Sequence, residues 1–251
     1  GFVPNEALLS SLKAKSDKPL AVEWTILDSL ANAYSYFTES QQPFVYLPAL
    51  GKLITIKRGY WDTDRFPYFG DNTKNNLFIL TSDNWGKTWS EPFLVYKAEG
   101  SFSTWWARYP SVYGFNYDGE PAYVYTSPAT NGSGWIGFIN GLYYQGSYFP
   151  AFSSSFTWTD GNRYGWGGTD SRIVGNMDAD GNPFAMAVGT IMIDGGLPLD
   201  KTSNLGYRRT TDFDKWDVTI PPQWQANVFR TPQSTNDSVR SSLIAGFKYG
   251  L

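Results

Sequence analysis

Arg108 in Trp106-Ala107-Arg108-Tyr109-Pro110, Arg172 in Asp170-Ser171-Arg172-Ile173-Val174 and Arg240 in Ser238-Val239-Arg240-Ser241 each stand at the start of an apolar run. A guanidinium offers a planar fork of N–H donors that matches a carboxylate or sulfate. Gathered at one place, the three arginines would bind such an anion. Kept apart, each would pair with a nearby carboxylate, Asp170 or Asp237 for example, and hold neighbouring elements together. A second cluster lies in the segment from Arg58 to Asp71, which contains Tyr60, Trp61, Asp62 and Asp64. A carboxyl group ringed by aromatics is pushed toward a raised pKa and suits general-acid work, while Tyr60 and Trp61 suit ligand contact. The same Asp-Thr-Asp triplet also makes an ordinary solvated turn.

The chain of 251 residues has no histidine and no cysteine, so its chemistry is limited to Asp, Glu, Tyr, Lys and Arg. That excludes a Ser-His-Asp triad, thiolate catalysis, disulfides and imidazole-held zinc. No metal or cofactor is expected. Asp178-Ala-Asp-Gly-Asn182 has the look of a calcium loop but lacks the downstream Glu, so it reads as a hairpin turn. Gly165-Trp-Gly-Gly168 has no strand-to-helix setting for a phosphate. A net charge of −3 with no basic stripe argues against nucleic acid. No apolar run approaches the ~20 residues of a membrane helix. A start at Gly1 rather than Met is compatible with a leader already removed. Aromatics make up 18% of the chain, which suits both sheets and carbohydrate-facing surfaces.

The elements that must position these residues read as strands. Residues 1–20 form an edge or tether segment, with a short helix over Glu6–Lys15. From residue 21 onward, short apolar or alternating runs are broken by Gly, Pro, Asn and Asp, the pattern of an all-β domain. A hairpin recurs: Phe44–Gly51 into Leu53–Ile56, Tyr109–Gly119 into Ala122–Tyr125, and Arg172–Gly181 into Phe184–Val188, with a fourth copy opening at Val239. Each repeat has room for four strands, which is the make-up of a propeller blade. The aromatic pairs Trp105-Trp106 and Tyr143-Tyr144 read as packing between blades. Asn131-Gly-Ser133 is a nominal N-glycan acceptor.

Ser82-Asp83-Asn84-Trp85-Gly86-Lys87-Thr88-Trp89 resembles the Asp box, Ser-x-Asp-x-Gly-x-Thr-Trp, of sialidase-type β-propellers (the BNR repeat). The resemblance implies a hairpin between the third and fourth strands of a blade. In it the Asp83 carboxylate accepts backbone N–H groups, Gly86 takes a turn conformation, and Ser82, Thr88 and Trp89 complete the motif. It also implies that Asp62 or Asp64 is the counterpart of the sialidase catalytic acid. The arginine that opens the sialidase motif is absent from Gln41-Gln42-Pro43-Phe44. Thr25–Tyr34, followed by a strand and a Tyr/Trp/Asp-rich loop, is similar to secreted propellers of the bacterial type IX secretion route. Together these imply the N-terminal three to four blades of a propeller that would number six, over residues 21–251. The expected function is a secreted or cell-surface module for a glycan, an anionic ligand or an extracellular protein assembly. The alternative is a sialidase-like exo-glycoside hydrolase.

Overall fold

The computed structural model describes residue 27 and residues 41–59, 73–132, 134–153, 155–157, 163–193, 203–210 and 217–219. Among them regular structure is all strand, apart from three single 3-10 turns. The expectation of an all-β chain is met. The segment before residue 21 and the fourth hairpin at Val239 lie outside the described residues.

Among the described residues three antiparallel sheets follow one another in chain order. The first is a meander of β1 (Phe44–Leu47), β2 (Lys52–Arg58), β3 (Leu77–Ser82) and β4 (Phe93–Tyr96). The fourth strand thus follows the Ser82–Trp89 turn, as the hairpin reading requires. The second sheet comprises β5 (Trp106–Ala107), β6 (Ser111–Tyr117), β7 (Glu120–Asn131), β8 (Gly134–Tyr144) and β9 (Ser147–Ser153). Strands β5 and β6 pair with different stretches of β7, so they are two pieces of one edge, broken at Arg108-Tyr109-Pro110. The third sheet runs β10 (Ser155–Thr157), β11 (Arg163–Met177), β12 (Pro183–Ile193), β13 (Ser203–Thr210), β14 (Asp217–Thr219). Its five strands depart from the expected four. The reason is that β11 begins at Arg163, well ahead of Arg172, and its early part supplies an edge on which β10 pairs.

Period-2 alternation decides how the sheets stack. Val45, Leu47, Ile54, Ile56, Leu77 and Ile79 share one face of the first sheet and form a core with Val112, Tyr123, Tyr125 and Ile139 of the second. The intervening residues of the second sheet, Ala122 and Val124, point the other way and join Ile173, Ala185 and Ala187 of the third. The second sheet is therefore buried on both faces. Close approach depends on two glycines. A Cβ at Gly114 would lie 2.8 Å from Leu47 Cδ1, and one at Gly175 would lie 2.9 Å from Phe115 Cε1 and Val124 Cγ2. The β6–β7 hairpin turns through Asp118 and Gly119, with φ of 52° and 82°, the paired left-handed conformation that tight hairpins require.

The core is rich in phenols, and this sets an alkaline limit. Burial raises the pKa of Tyr96, Tyr123 (to about 12) and Tyr125, so the fold keeps them protonated where an unfolded chain would ionise. Groups raised in this way contribute stability that is complete below pH ~10 and is lost as pH climbs through their folded values. Arg58, lowered to about 10, acts in the opposite sense between its folded and unfolded values, but it is one group against three. A denaturation series from pH 8 to 12 is expected to show constant stability up to about pH 10 and a decline beyond it. The share of the tyrosinate absorbance that belongs to these three buried phenols should appear together with unfolding rather than before it.

Candidate functional site

The leading strands of the three sheets meet at Gln42. Its backbone N–H donates to Ser111 Oγ at 2.8 Å and its amide Nε2 donates to the Val112 carbonyl at 3.3 Å. Its Oε1 accepts from an Arg172 guanidinium nitrogen at 3.2 Å. One residue from the leading edge of each sheet thus joins a shared junction. Arg108 and Arg172, each at the start of an apolar run in the sequence, therefore do not hold equivalent places in the structure. Counted from the close-packing glycines Gly114 and Gly175, Arg172 matches Ser111, and Arg108 falls three residues earlier. Arg172 lies inside a ladder opposite Val188, whereas Arg108 lies in the break between β5 and β6.

Arg108 instead meets an arginine that sequence reasoning passed over. Arg58 closes β2 and is only 4% exposed. Its Nε donates to the Lys74 carbonyl at 2.9 Å, while an Arg108 NH donates to Asn75 Oδ1 at 3.3 Å. Two adjacent residues of one 3-10 turn, Thr73–Asn75, therefore hold both guanidinium groups. Burial lowers the Arg58 pKa to about 10, the charge of Arg108 pushes it the same way, and Tyr109 opposes both. Arg108 is lowered by burial, again against Tyr109. Its other contacts are the Ala107 carbonyl at 2.7 Å and the face of Trp106 at 6.0 Å. Among the described residues Arg108 makes no ion pair with a carboxylate. Tyr109, beside it, has φ of 43° ahead of a proline, a backbone state that L-residues occupy only under constraint. Two desolvated guanidinium groups and a phenol thus share this corner of the fold.

The Ser82–Trp89 turn joins β3 to β4 at the other end of the first sheet. Ser82 Oγ, buried, accepts from the Gly86 N–H at 2.9 Å and the Asn84 N–H at 3.4 Å. Asn84 Oδ1 accepts from the Thr88 N–H at 2.9 Å and from the Ser82 hydroxyl at 3.0 Å, and Asn84 Nδ2 donates to Thr88 Oγ1 at 2.8 Å. The acceptor role expected of Asp83 thus belongs to Asn84. Asp83 faces outward and is bonded by Lys52 Nζ of β2. The reason is spacing: only the residue two after Ser82 can reach inside the turn. Trp89 packs edge-on against Phe44 of β1, 5.9 Å between ring centres. Gly86, with φ of 83°, takes the left-handed state expected of it.

Substitutions should separate the two acidic-side positions. Ser82→Ala and Asn84→Ala each strand buried or turn N–H groups and are expected to cost about 1–3 kcal/mol. Asn84→Asp keeps the acceptor and should stay within about 0.5 kcal/mol of wild type. Asp83→Ala removes a surface ion pair and should cost less than about 1 kcal/mol. Urea denaturation of the four variants checks the ordering.

Tyr60, Trp61, Asp62, Asp64 and Arg240 lie outside the described residues. Tyr143 packs on Phe93 of the first sheet at 4.7 Å, as packing between sheets requires, while Tyr144 pairs with Tyr117 of its own sheet at 4.9 Å. The Asp178 turn is closed by Asp178 Oδ1, which accepts from the Asp180 and Asn182 N–H groups at 3.0 and 2.8 Å. Among the described residues no cluster of acidic side chains could hold a metal ion, and no helix is long and apolar enough to cross a membrane.

No protein-family model and no curated protein matches the chain. Among solved structures it is similar to Bacteroides ovatus xyloglucan PUL GH43B, at 15% identity over 70% of this chain and 27% of that one, with a TM-score of 0.33. It is similar to Zg3597, a family 117 glycoside hydrolase of the marine bacterium Zobellia galactanivorans, at 13% identity over 77% and 60%, TM-score 0.41. It is also similar to Trypanosoma rangeli sialidase in complex with sialic acid, at 14% identity over 77% and 34%, TM-score 0.35. The chain spans less than two thirds of each of these proteins.

Proposed function

We propose that this chain is part of a secreted or cell-surface β-propeller that binds an anionic glycan between its first and second sheets. The observation that carries the reading is Arg108, desolvated beside Arg58 with only neutral partners among the described residues. One terminal nitrogen of the Arg108 guanidinium serves both Asn75 Oδ1 and the Ala107 carbonyl, and its other N–H donors would engage a carboxylate or sulfate on a sugar. In this reading Arg172, at the neighbouring junction, and Arg240 add to the same cationic rim, and Tyr60 and Trp61, which follow Arg58-Gly59 in the chain, supply stacking faces.

Support for the propeller comes from three sheets that stack in chain order, the middle one buried on both faces. The Ser82–Trp89 turn is consistent with an Asp box whose acidic position carries Asn84. In this reading Asp62 and Asp64 sit at the rim of the same site. Binding to immobilised sialylated, uronate-bearing and sulfated glycans, with neutral counterparts alongside, tests the proposal. Retention of an anionic glycan but not its neutral form is the expected result. Hydrolysis of a fluorogenic sialoside, lost in Asp62→Asn or Asp64→Asn, would replace the binding role with a catalytic one.

A further inference from the structure

The opposite end of the first sheet carries a surface that the arginine site does not use. Trp85, Tyr46 and Phe44 are 71%, 39% and 44% exposed, and they make up three of the four large exposed hydrophobics among the described residues. They are contiguous. Trp85 stacks on Tyr46 at 4.6 Å with 29° between the ring planes, and Phe44 stands two residues along β1 on the same face, against Trp89. Elsewhere that face is covered, since Thr55, Lys57, Phe78 and Leu80 are at most 2% exposed. The open area is therefore a local platform and not a bare sheet.

Trp85 is also held outward. Its φ of 62° is left-handed, a state in which a bulky residue is strained, and the hydrogen bonds around Ser82 and Asn84 fix the turn that imposes it. The Lys52–Asp83 pair lies on the other face of the sheet, toward Tyr123, and leaves the rings uncharged at their surface. A flat, exposed aromatic face of this kind suits a pyranose. Its C–H face lies on the electron-rich rings, and its hydroxyls stay in water. Three partly exposed rings amount to at most a few hundred Å², well short of the ~800 Å² per partner that a stable protein interface needs.

We propose that the Trp85–Tyr46 platform is a second glycan site, selective for neutral pyranose chains. It is independent of the arginine site, because six residues of β3 separate the two ends of the sheet by roughly 17 Å. The test uses the chain labelled with 5-fluorotryptophan, with the Trp85 fluorine signal identified by its loss in Trp85→Phe. Hexaoses of β-linked glucose, xylose, mannose and galactose are titrated in turn to about 10 mM, well above a millimolar dissociation constant. At least one should shift the Trp85 signal saturably. Trp85→Ala should weaken that hexaose about tenfold or more, and Arg108→Ala should leave it unchanged. Because the native backbone there is left-handed, Trp85→Gly should melt at or above the wild-type temperature while losing binding in the same way. The proposal is overturned if no hexaose moves the Trp85 signal, if Trp85→Ala binds as wild type does, or if Trp85→Gly lowers the melting temperature. Dimers in light scattering that Trp85→Ala dissolves would overturn it as well, giving the platform to a second copy of the chain.

Discussion

Gly141→Ala is expected to destabilise the chain by about 2–4 kcal/mol, which for a chain this long lowers the melting temperature by roughly 5–12 °C. Gly141 of β8 lies directly opposite Tyr125 of β7. A Cβ there would sit 2.2 Å from the Tyr125 hydroxyl and 2.3 Å from Cζ, so the ring must leave its place. It has nowhere to go, because Tyr125 is fully buried and its hydroxyl donates to the Val95 carbonyl of the first sheet at 2.6 Å. Displacement would break the bond that ties β7 to β4 and force the ring against the core between the sheets. Tyr125→Phe alone should cost about 1–2 kcal/mol, the value of a buried hydrogen bond lost. In the double variant the two losses should add to less than their sum, since part of the Gly141→Ala penalty is the same bond. A thermal melt of the three variants reads all of this.

Arg108→Ala should have the largest effect on ligand binding and little effect on the fold. Each charge-assisted hydrogen bond to an anion contributes roughly 1.5–3 kcal/mol, so losing the guanidinium should weaken an anionic glycan about 10- to 100-fold. Arg108→Lys keeps the charge without the planar fork and should fall between the two. Stability carries the opposite sign from that of a structural ion pair. Arg108 lowers the pKa of Arg58, so removing it relieves repulsion between two desolvated cations. That relief offsets the lost bonds to Asn75 and the Ala107 carbonyl. The unliganded variant should therefore melt within about 3 °C of wild type. A large drop in stability with unchanged binding would mean that Arg108 only fastens the sheets together.

The strands and their turns were legible because their signals are local. Gly119 after Asp118, and Gly181 after Asp178-Ala-Asp, mark hairpins at the places where the ladders close. The apolar run Ala122-Tyr123-Val124-Tyr125 reads as a strand from its composition alone, whereas its burial on both faces depends on the neighbouring sheets. The site was less legible, because its geometry depends on register. The break at Arg108-Tyr109-Pro110 and the bulge in β11 between Trp166 and Ser171 shift the leading strands relative to each other. Arginines that look aligned in sequence are therefore not aligned in space. Arg58 drew no notice because it ends a strand run and its partner, Arg108, is in the next sheet. Asp83 drew notice for its charge, although its neighbour Asn84 carries the turn. Nothing in the sequence marks Trp85 as left-handed, since that conformation comes from the bonds that Ser82 and Asn84 make around it.

Titration calorimetry with paired sugars tests the anionic-glycan claim most directly. Sialic, galacturonic and glucuronic acids are compared with N-acetylmannosamine, galactose and glucose, using the wild-type chain and Arg108→Ala. The account predicts that at least one acid binds while its neutral counterpart does not. It predicts that binding weakens as salt is raised, and that Arg108→Ala reduces it about tenfold or more. Acid and neutral sugars binding alike, no heat from any acid, or an Arg108→Ala chain that binds as wild type does would contradict it.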